Sequence, residues 1–353
     1  MKRALRFSLL LSLGILIAEV LARAIFPDLA NDTAYLNRAF ARLLNSGVVF
    51  DPNSASFSTQ YGFVFSPNAA HTEVTTEFTY TVRTNSNGFR TRELQPRRGN
   101  EYRTMLIGDS MFWGVGVEEP DMVSSVMERL GHSSASTPRL SVYNYSVSGY
   151  NTVQELLVAK AHIDSVQPDH LVLGFFIGND ILPNAIASVD RHGNYSPSRE
   201  TESRMRRELR RRLGVLFHSL VFREVALRAY VPRLRYQIAS RDHVIARSYA
   251  LLTEFNRLAR SKRVRFSVAI LYPRDSVRGG ILEWWSNSRE IGRMIGAFCQ
   301  QHSIEALDLL KYMNTPEHKK RYFFESEGHP NKEGNAVIAK AIFDDLIHPH
   351  MTR

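Results

Sequence analysis

The sequence predicts a three-layer α/β/α protein with helices on both faces of a doubly wound, mostly parallel five-stranded sheet. Three observations point there. Short apolar runs recur between residues 103 and 310, each followed by a longer stretch with helical spacing. Two of the runs, "TMLIG" at 104–108 and "LVLGFFIG" at 171–178, are apolar without alternation, the pattern of strands covered on both faces. Strands alternating with helices of this length imply parallel pairing, because parallel strands need a long crossover.

Taken in chain order, the first element is apolar. Lys2, Arg3 and Arg6 precede an uncharged run from Phe7 to Ala18, and apolar residues continue through Val20, Leu21, Ile25 and Phe26. Basic residues before such a run place the amino terminus in the cytoplasm and send the rest of the chain outside. Extended to Phe26, the run reaches the ~20 residues a membrane-spanning helix needs. Residues 1–27 therefore read as a signal anchor, or as a signal peptide if Ala22-Arg23-Ala24 is a cleavage site. On the first reading the protein is a single-pass protein of a bacterial inner membrane with its domain in the periplasm. On the second it is secreted.

Residues 28–100 read as an irregular, β-rich lead-in. Val74, Phe78, Tyr80 and Val82 mostly alternate with polar residues, as in a half-exposed strand, and "TNSNGFR" at 84–90 reads as a turn. The main domain, 101–350, then runs strand "RTMLIG", a helix "DMVSSVMERLG" stopped by Gly131, and strand "LSVYNYS". Helix "TVQELLVAKAHID" and strand "HLVLGFFIG" come next. After an interruption come helix "HVIARSYALLTEFNRLAR", strand "RFSVAILY", helix "SREIGRMIGAFCQQH", strand "SIEALDLL" and a last helix "NKEGNAVIAKAIFDDLI".

The interruption, about 182–241, carries most of the excess charge. The net charge is +10, and residues 199–235 hold eleven arginines against four glutamates. Charge confined to one segment, with no zinc-finger, RRM or KH pattern, argues against a nucleic-acid partner. Met205, Leu209, Leu213, Leu216 and Leu220 recur at helical spacing between the arginines. That pattern suits a helix packing its stripe on the domain, or an interfacial helix on anionic lipid headgroups. The single cysteine, Cys299, sits in an apolar-patterned helix and reads as a buried structural thiol.

The chemistry gathers at strand ends. "GDS" at 108–110 follows the first strand, "NYSVSGYN" at 144–151 the second and "GND" at 178–180 the third; His329 stands just before the last helix. In a doubly wound sheet the strand-end loops face one way and converge. Serine becomes a nucleophile when a base takes its proton, and His329 can do so near neutral pH. The oxyanion of an acyl-transfer step needs preorganised donors, here the backbone N–H groups of Ser110 and Gly149 and the side-chain amide of Asn179.

These four segments, in this order, resemble the blocks of the GDSL-type SGNH hydrolase family, over about residues 103–347. "TNSNGFR" also resembles a segment that precedes the first block in membrane-anchored bacterial members. The resemblance implies a serine esterase or related acyl-transfer enzyme without cofactor or metal, acting on an acylated carbohydrate or a small ester. The family's aspartate three residues before the histidine is Ser326 here; Glu327 lies two before and Glu325 four before. Glu327 is the first choice for the acid that orients His329, with Glu325 or none as alternatives. Two other readings use the same fold: an acyltransferase, and a membrane-tethered glycan-binding factor without turnover. The membrane partner would be met through the N-terminal helix, and its surface through the basic insertion.

Overall fold

The lead-in departs most from its expected form. The computed structural model describes residues 10, 12–21, 32–44, 55–133, 138–214, 219–277 and 288–351. Most of the expected N-terminal anchor lies outside these residues. Residues 12–21 form a helix, α1, with Leu13, Leu16, Ile17, Val20 and Leu21 exposed. Among the described residues no helix is long and apolar enough to cross a membrane.

A second helix, α2 (Asp32–Leu44), stands where irregular chain was expected. It buries Tyr35, Ala39, Phe40 and Leu43, one stripe at helical spacing. Two antiparallel hairpins come next, β1 (Ala55–Ser58) with β2 (Gly62–Phe65) and β3 (Ala70–Val74) with β4 (Thr79–Arg83). The alternating stretch 74–82 is thus not one strand but the end of β3, a turn, and β4. The turn forms because Thr75 Oγ1 accepts the N–H groups of Glu77 and Phe78, at 3.2 and 3.1 Å. In "TNSNGFR" the Asn85 side chain accepts from Asn87 N and Phe89 N, both at 3.0 Å, fixing the expected turn.

The main domain has the five-stranded parallel sheet. Its strands are β5 (Glu101–Ile107), β6 (Arg139–Asn144), β7 (His170–Phe176), β10 (Arg265–Leu271) and β11 (Glu305–Asp308). The order is β11-β10-β7-β5-β6, all neighbours parallel. The chain leaves β5 toward β6 and returns to pair β7 on the other side of β5. The carboxyl ends of β5 and β7 therefore flank the switch point, where such sheets place ligands. Met105, Leu106 and Ile107 are wholly buried, so the strand that carries the serine is a rigid mount. Truncating one such residue to alanine typically costs ~2–5 kcal/mol.

The crossovers supply the outer layers. The short α3 (Ser110–Trp113) and α4 (Val123–Ser133) come after β5, and α5 (Thr152–Val166) after β6. Gly131 does not stop α4, which runs two residues further. Its role is close packing: a Cβ there would lie 2.5 Å from the Leu140 side chain on β6. After β7 come α6 (Ile181–Ile186) and a hairpin, β8 (Ala187–Val189) with β9 (Tyr195–Pro197). The basic insertion is not one helix. It divides into α7 (Arg199–Leu213), α8 (Leu220–Val225), a π-helical turn (Ala226–Tyr230) and α9 (Val231–Ala239). The helix α7 ends at Gly214, with φ +49°. Leu209, Leu213 and Leu220 are buried as the stripe predicted; Leu216 lies outside the described residues.

The insertion rests on the lead-in: Arg206 spans the Phe40 ring at 4.1 Å and bonds Asn37 of α2 at 2.8 Å. Glu19 of α1 accepts from Ser219 Oγ and Leu220 N, each at 2.9 Å. The rest of the sheet layer comprises α10 (Asp242–Lys262), α11 (Ser288–Gln301), the short α12 (Leu310–Met313) and α13 (Pro316–Tyr322), and α14 (Lys332–Ile342). Here α10 packs on α5, and α14 on α4. Cys299 is buried in α11, and burial pushes its thiol up to about 12.

Candidate active site

Ser110 opens α3 immediately after β5. Its predecessor Asp109 caps the helix, with Oδ1 accepting Met111 N at 3.0 Å. The second loop is tied to the first by Val147 N donating to Gly108 O at 3.0 Å, and by Asn144 Nδ2 donating to Phe112 O at 2.9 Å. In that loop Gly149 has φ +87°, a backbone conformation that favours glycine. The third loop contributes Asn179, whose Nδ2 donates to Asp109 Oδ2 at 2.8 Å. An amide carries two N–H donors, so this bond orients the side chain while engaging one of them.

His329 arrives from the other end of the domain. The docking of α14 on α4 carries the preceding loop over the serine, and Nε2 lies 2.9 Å from Ser110 Oγ. Ser110, Asn179 and His329 are thereby linked, through Asp109, across three separate segments. Burial pushes the His329 imidazole down to about 4, so it is neutral and able to accept a proton at pH 7.

Glu327 does not reach this histidine. Glu325, Ser326 and Glu327 are all exposed, and His329 Nδ1 is buried without a hydrogen-bond partner. The reason is a tight turn. Phe324 N donates to His329 O, Gly328 N donates to Phe324 O, and Gly328 adopts φ +73°, which turns the intervening side chains outward. The structure thus pairs Ser110 with His329 and brings no carboxylate to Nδ1. Glu327→Gln and Glu325→Gln are accordingly each expected to keep kcat within about twofold of wild type in an ester-hydrolysis assay. A triad carboxylate would instead lose about 10⁴-fold as the amide.

Beneath the serine lie three buried carboxyls: Asp109, Asp180 and Glu155, none with any exposure. Desolvation raises all three. Asp109 rises to about 6, while Asp180 and Glu155 are pushed further by the charges of their neighbours. Asp180 also braces its loop, its Oδ2 accepting Phe176 N at 2.6 Å. Sequence reasoning passed over Glu155, which sits in α5 outside every motif.

Two lead-in residues were also missed. Arg90 is buried, donating to the carbonyls of Trp113 and Gly114 at the end of α3 and to those of Thr81 and Val117. It is the last residue of "TNSNGFR", a motif read as a turn and for its resemblance, with no role given to the arginine. Glu77 accepts from the backbone of residues 325–327. Trp113 is buried and stacks on Phe65 with ring centroids 4.4 Å apart. Among the described residues no group of three or more His, Cys, Asp or Glu is arranged to hold a metal ion. A cleft of about 540 Å³ lies elsewhere, between α5, the β8 hairpin and α10, and includes none of the predicted site residues.

Ser110 and His329 stand within hydrogen-bond reach above the switch point of a parallel sheet, with the Asn179 amide tied in beside them. The chain belongs to the GDSL-like Lipase/Acylhydrolase family, which matches residues 106–337, and with that family it is an ester hydrolase. Several solved structures are similar in fold. A putative acylhydrolase from Bacteroides fragilis NCTC 9343 is 13% identical, with 73% of this chain and 92% of that one covered and a TM-score of 0.43. A lipase/acylhydrolase from Enterococcus faecalis is 14% identical, with 70% and 96% covered and a TM-score of 0.41. The acetyl xylan esterase AlAXEase is 15% identical, with 69% and 100% covered and a TM-score of 0.43. Among curated proteins none matches this chain.

Proposed function

We propose that this chain is a serine esterase that removes short acyl groups, acetyl above all, from an envelope polysaccharide or another extracytoplasmic ester. The observation that carries the reading is the 2.9 Å contact between His329 Nε2 and Ser110 Oγ. In the first step His329 takes the Ser110 proton as Oγ attacks the ester carbonyl. The developing oxyanion is met by the Ser110 and Gly149 N–H groups and the free Asn179 N–H. The tetrahedral intermediate collapses, His329 returns the proton to the leaving alcohol, and water then repeats the sequence on the acyl-enzyme. With no carboxylate at Nδ1, the imidazolium is stabilised by the oxyanion that forms beside it.

Location supports the choice of substrate. Lys2, Arg3 and Arg6 before an apolar run favour a domain held outside the inner membrane by residues 1–27, within reach of acylated envelope glycans. The arginine-rich face of α7 suits contact with anionic headgroups. The unpartnered Nδ1 is the one observation on the side of a glycan-binding factor without turnover.

A fluorophosphonate probe separates the readings, since only an activated serine reacts. Labelling of Ser110 together with acetate release from acetylated glycans supports the esterase. Labelling with acetyl passed to a second sugar makes it a transferase, and no labelling leaves the binding factor. Within the esterase reading, Asn179→Ala is expected to lower kcat by about 10²–10³-fold, the usual loss for one oxyanion donor. Its KM should change much less, because the donor acts on charge that appears in the transition state. A loss confined to KM would make Asn179 a substrate contact instead.

A further inference from the structure

The loop that carries His329 is held from outside the family domain. Glu77, in the turn between β3 and β4, spreads its carboxylate over three successive backbone donors. Oε1 accepts Glu325 N at 2.8 Å, and Oε2 accepts Ser326 N and Glu327 N at 2.8 and 2.9 Å. Successive N–H groups converging on one anion form a nest of the kind that binds free phosphate or carboxylate. Here the chain fills its own nest with a side chain 248 or more residues away in sequence. Partial desolvation pushes the Glu77 carboxyl up, and the three backbone donors with the Ser326 side chain more than reverse it, leaving it below the usual glutamate range.

Neighbouring contacts make this junction a built one. Phe78, the next residue, packs on Phe324 of the same loop with ring centroids 4.6 Å apart. Arg90 ties β4 to the serine side: its guanidinium bonds Thr81 O and, at the end of α3, Trp113 O and Gly114 O. The lead-in therefore touches both halves of the dyad, the serine helix through Arg90 and the histidine loop through Glu77.

We propose that Glu77 is a positioning residue for His329: by fixing the backbone of residues 325–327 it aims the imidazole at Ser110. This rests on the dyad reading above. In a triad the acid orients the ring through Nδ1. That contact is missing here, so the ring's aim depends on the main chain that carries it, held by Glu77 before the histidine and by the Phe323–Pro330 bridge after it. Glu77 acts through that main chain, with the Ser326 side chain as a further hydrogen-bond partner.

The test uses the full chain and p-nitrophenyl acetate, with kcat, KM and melting temperature measured for Glu77→Gln, Glu77→Asp and Glu73→Gln. The glutamine has nearly the same size, but its amide must set N–H donors against backbone N–H groups. A misaimed reacting group costs on the order of 10²-fold, so kcat of Glu77→Gln should fall by about 10–100-fold with KM within about twofold. Glu77→Asp, which keeps the charge and both acceptors, should regain most of that loss. Glu73→Gln serves as a control on the same hairpin, where the carboxylate bonds Tyr80 instead; it should keep the wild-type kcat. A wild-type kcat in Glu77→Gln overturns the proposal, as does a loss confined to KM. An equal loss of kcat in Glu73→Gln overturns it too, because the effect would then belong to the hairpin as a whole. If Ser110→Ala keeps activity, the dyad reading itself fails. If Ser110→Ala is dead while Glu77→Gln is wild type, only the role of Glu77 fails.

Discussion

Ser110→Ala is expected to lower kcat for ester hydrolysis by about 10⁴–10⁶-fold, the range seen when a hydrolytic nucleophile is removed. The protein should stay folded, because the hydroxyl makes no bond the fold depends on. Its partners are His329 Nε2 at 2.9 Å and a long contact of 3.5 Å to Asp109 Oδ2. The measurement is kcat with p-nitrophenyl acetate, alongside circular dichroism and fluorophosphonate labelling. A folded variant that keeps most of its turnover would remove Ser110 from the chemistry and turn attention to Ser148, the next hydroxyl in the second loop.

The second large effect belongs to His329. His329→Gln should cost about as much as the serine substitution, since members of such a unit fail together rather than additively. The wild-type pH profile carries a sharper signature. The catalytic form is the neutral imidazole, and burial pushes its pKa down to about 4. Activity should therefore hold from pH 7 down to about 5, then fall as protons occupy Nε2 and block transfer from Ser110. An unperturbed histidine would lose activity already around 6.5. A carboxylate at Nδ1 would move the limb the same way, upward, because it favours the charged ring. An acidic limb of kcat/KM near 6.5 or above would thus reveal either open water or a hidden acid beside the imidazole. A limb near 4 fits the dyad.

The sheet and its loops were legible because burial leaves a strong trace in sequence. Met105 to Ile107 and Leu171 to Phe176 are continuous apolar runs, and the strands stand where those runs are. Their places after successive elements singled out Ser110, Asn179 and His329, which the structure links through Asp109 and one another. Glu327 misled because an offset in sequence says nothing about a turn; Gly328 at φ +73° reverses the geometry that a count of residues assumes. The helix α2 was hidden by the polar residues between its four buried positions, and the basic insertion by a stripe that continues past the break at Gly214. Glu77 left no local signal at all. A carboxylate whose partners are backbone N–H groups hundreds of residues away is invisible to any pattern read along the chain.

The dyad bond joins residues 219 apart, and this separation has a temporal consequence. During synthesis β5 and the serine turn are complete long before residue 329 exists. Until α14 docks on α4, Ser110 is an ordinary alcohol of no special reactivity. Contacts this distant along the chain are among the last to form, because the loop entropy must be overcome before they gain anything. Esterase activity is then a report that α14 has seated. During refolding from denaturant it should return later than the helical signal, and a nascent chain would carry a harmless serine through its whole passage to the folded state.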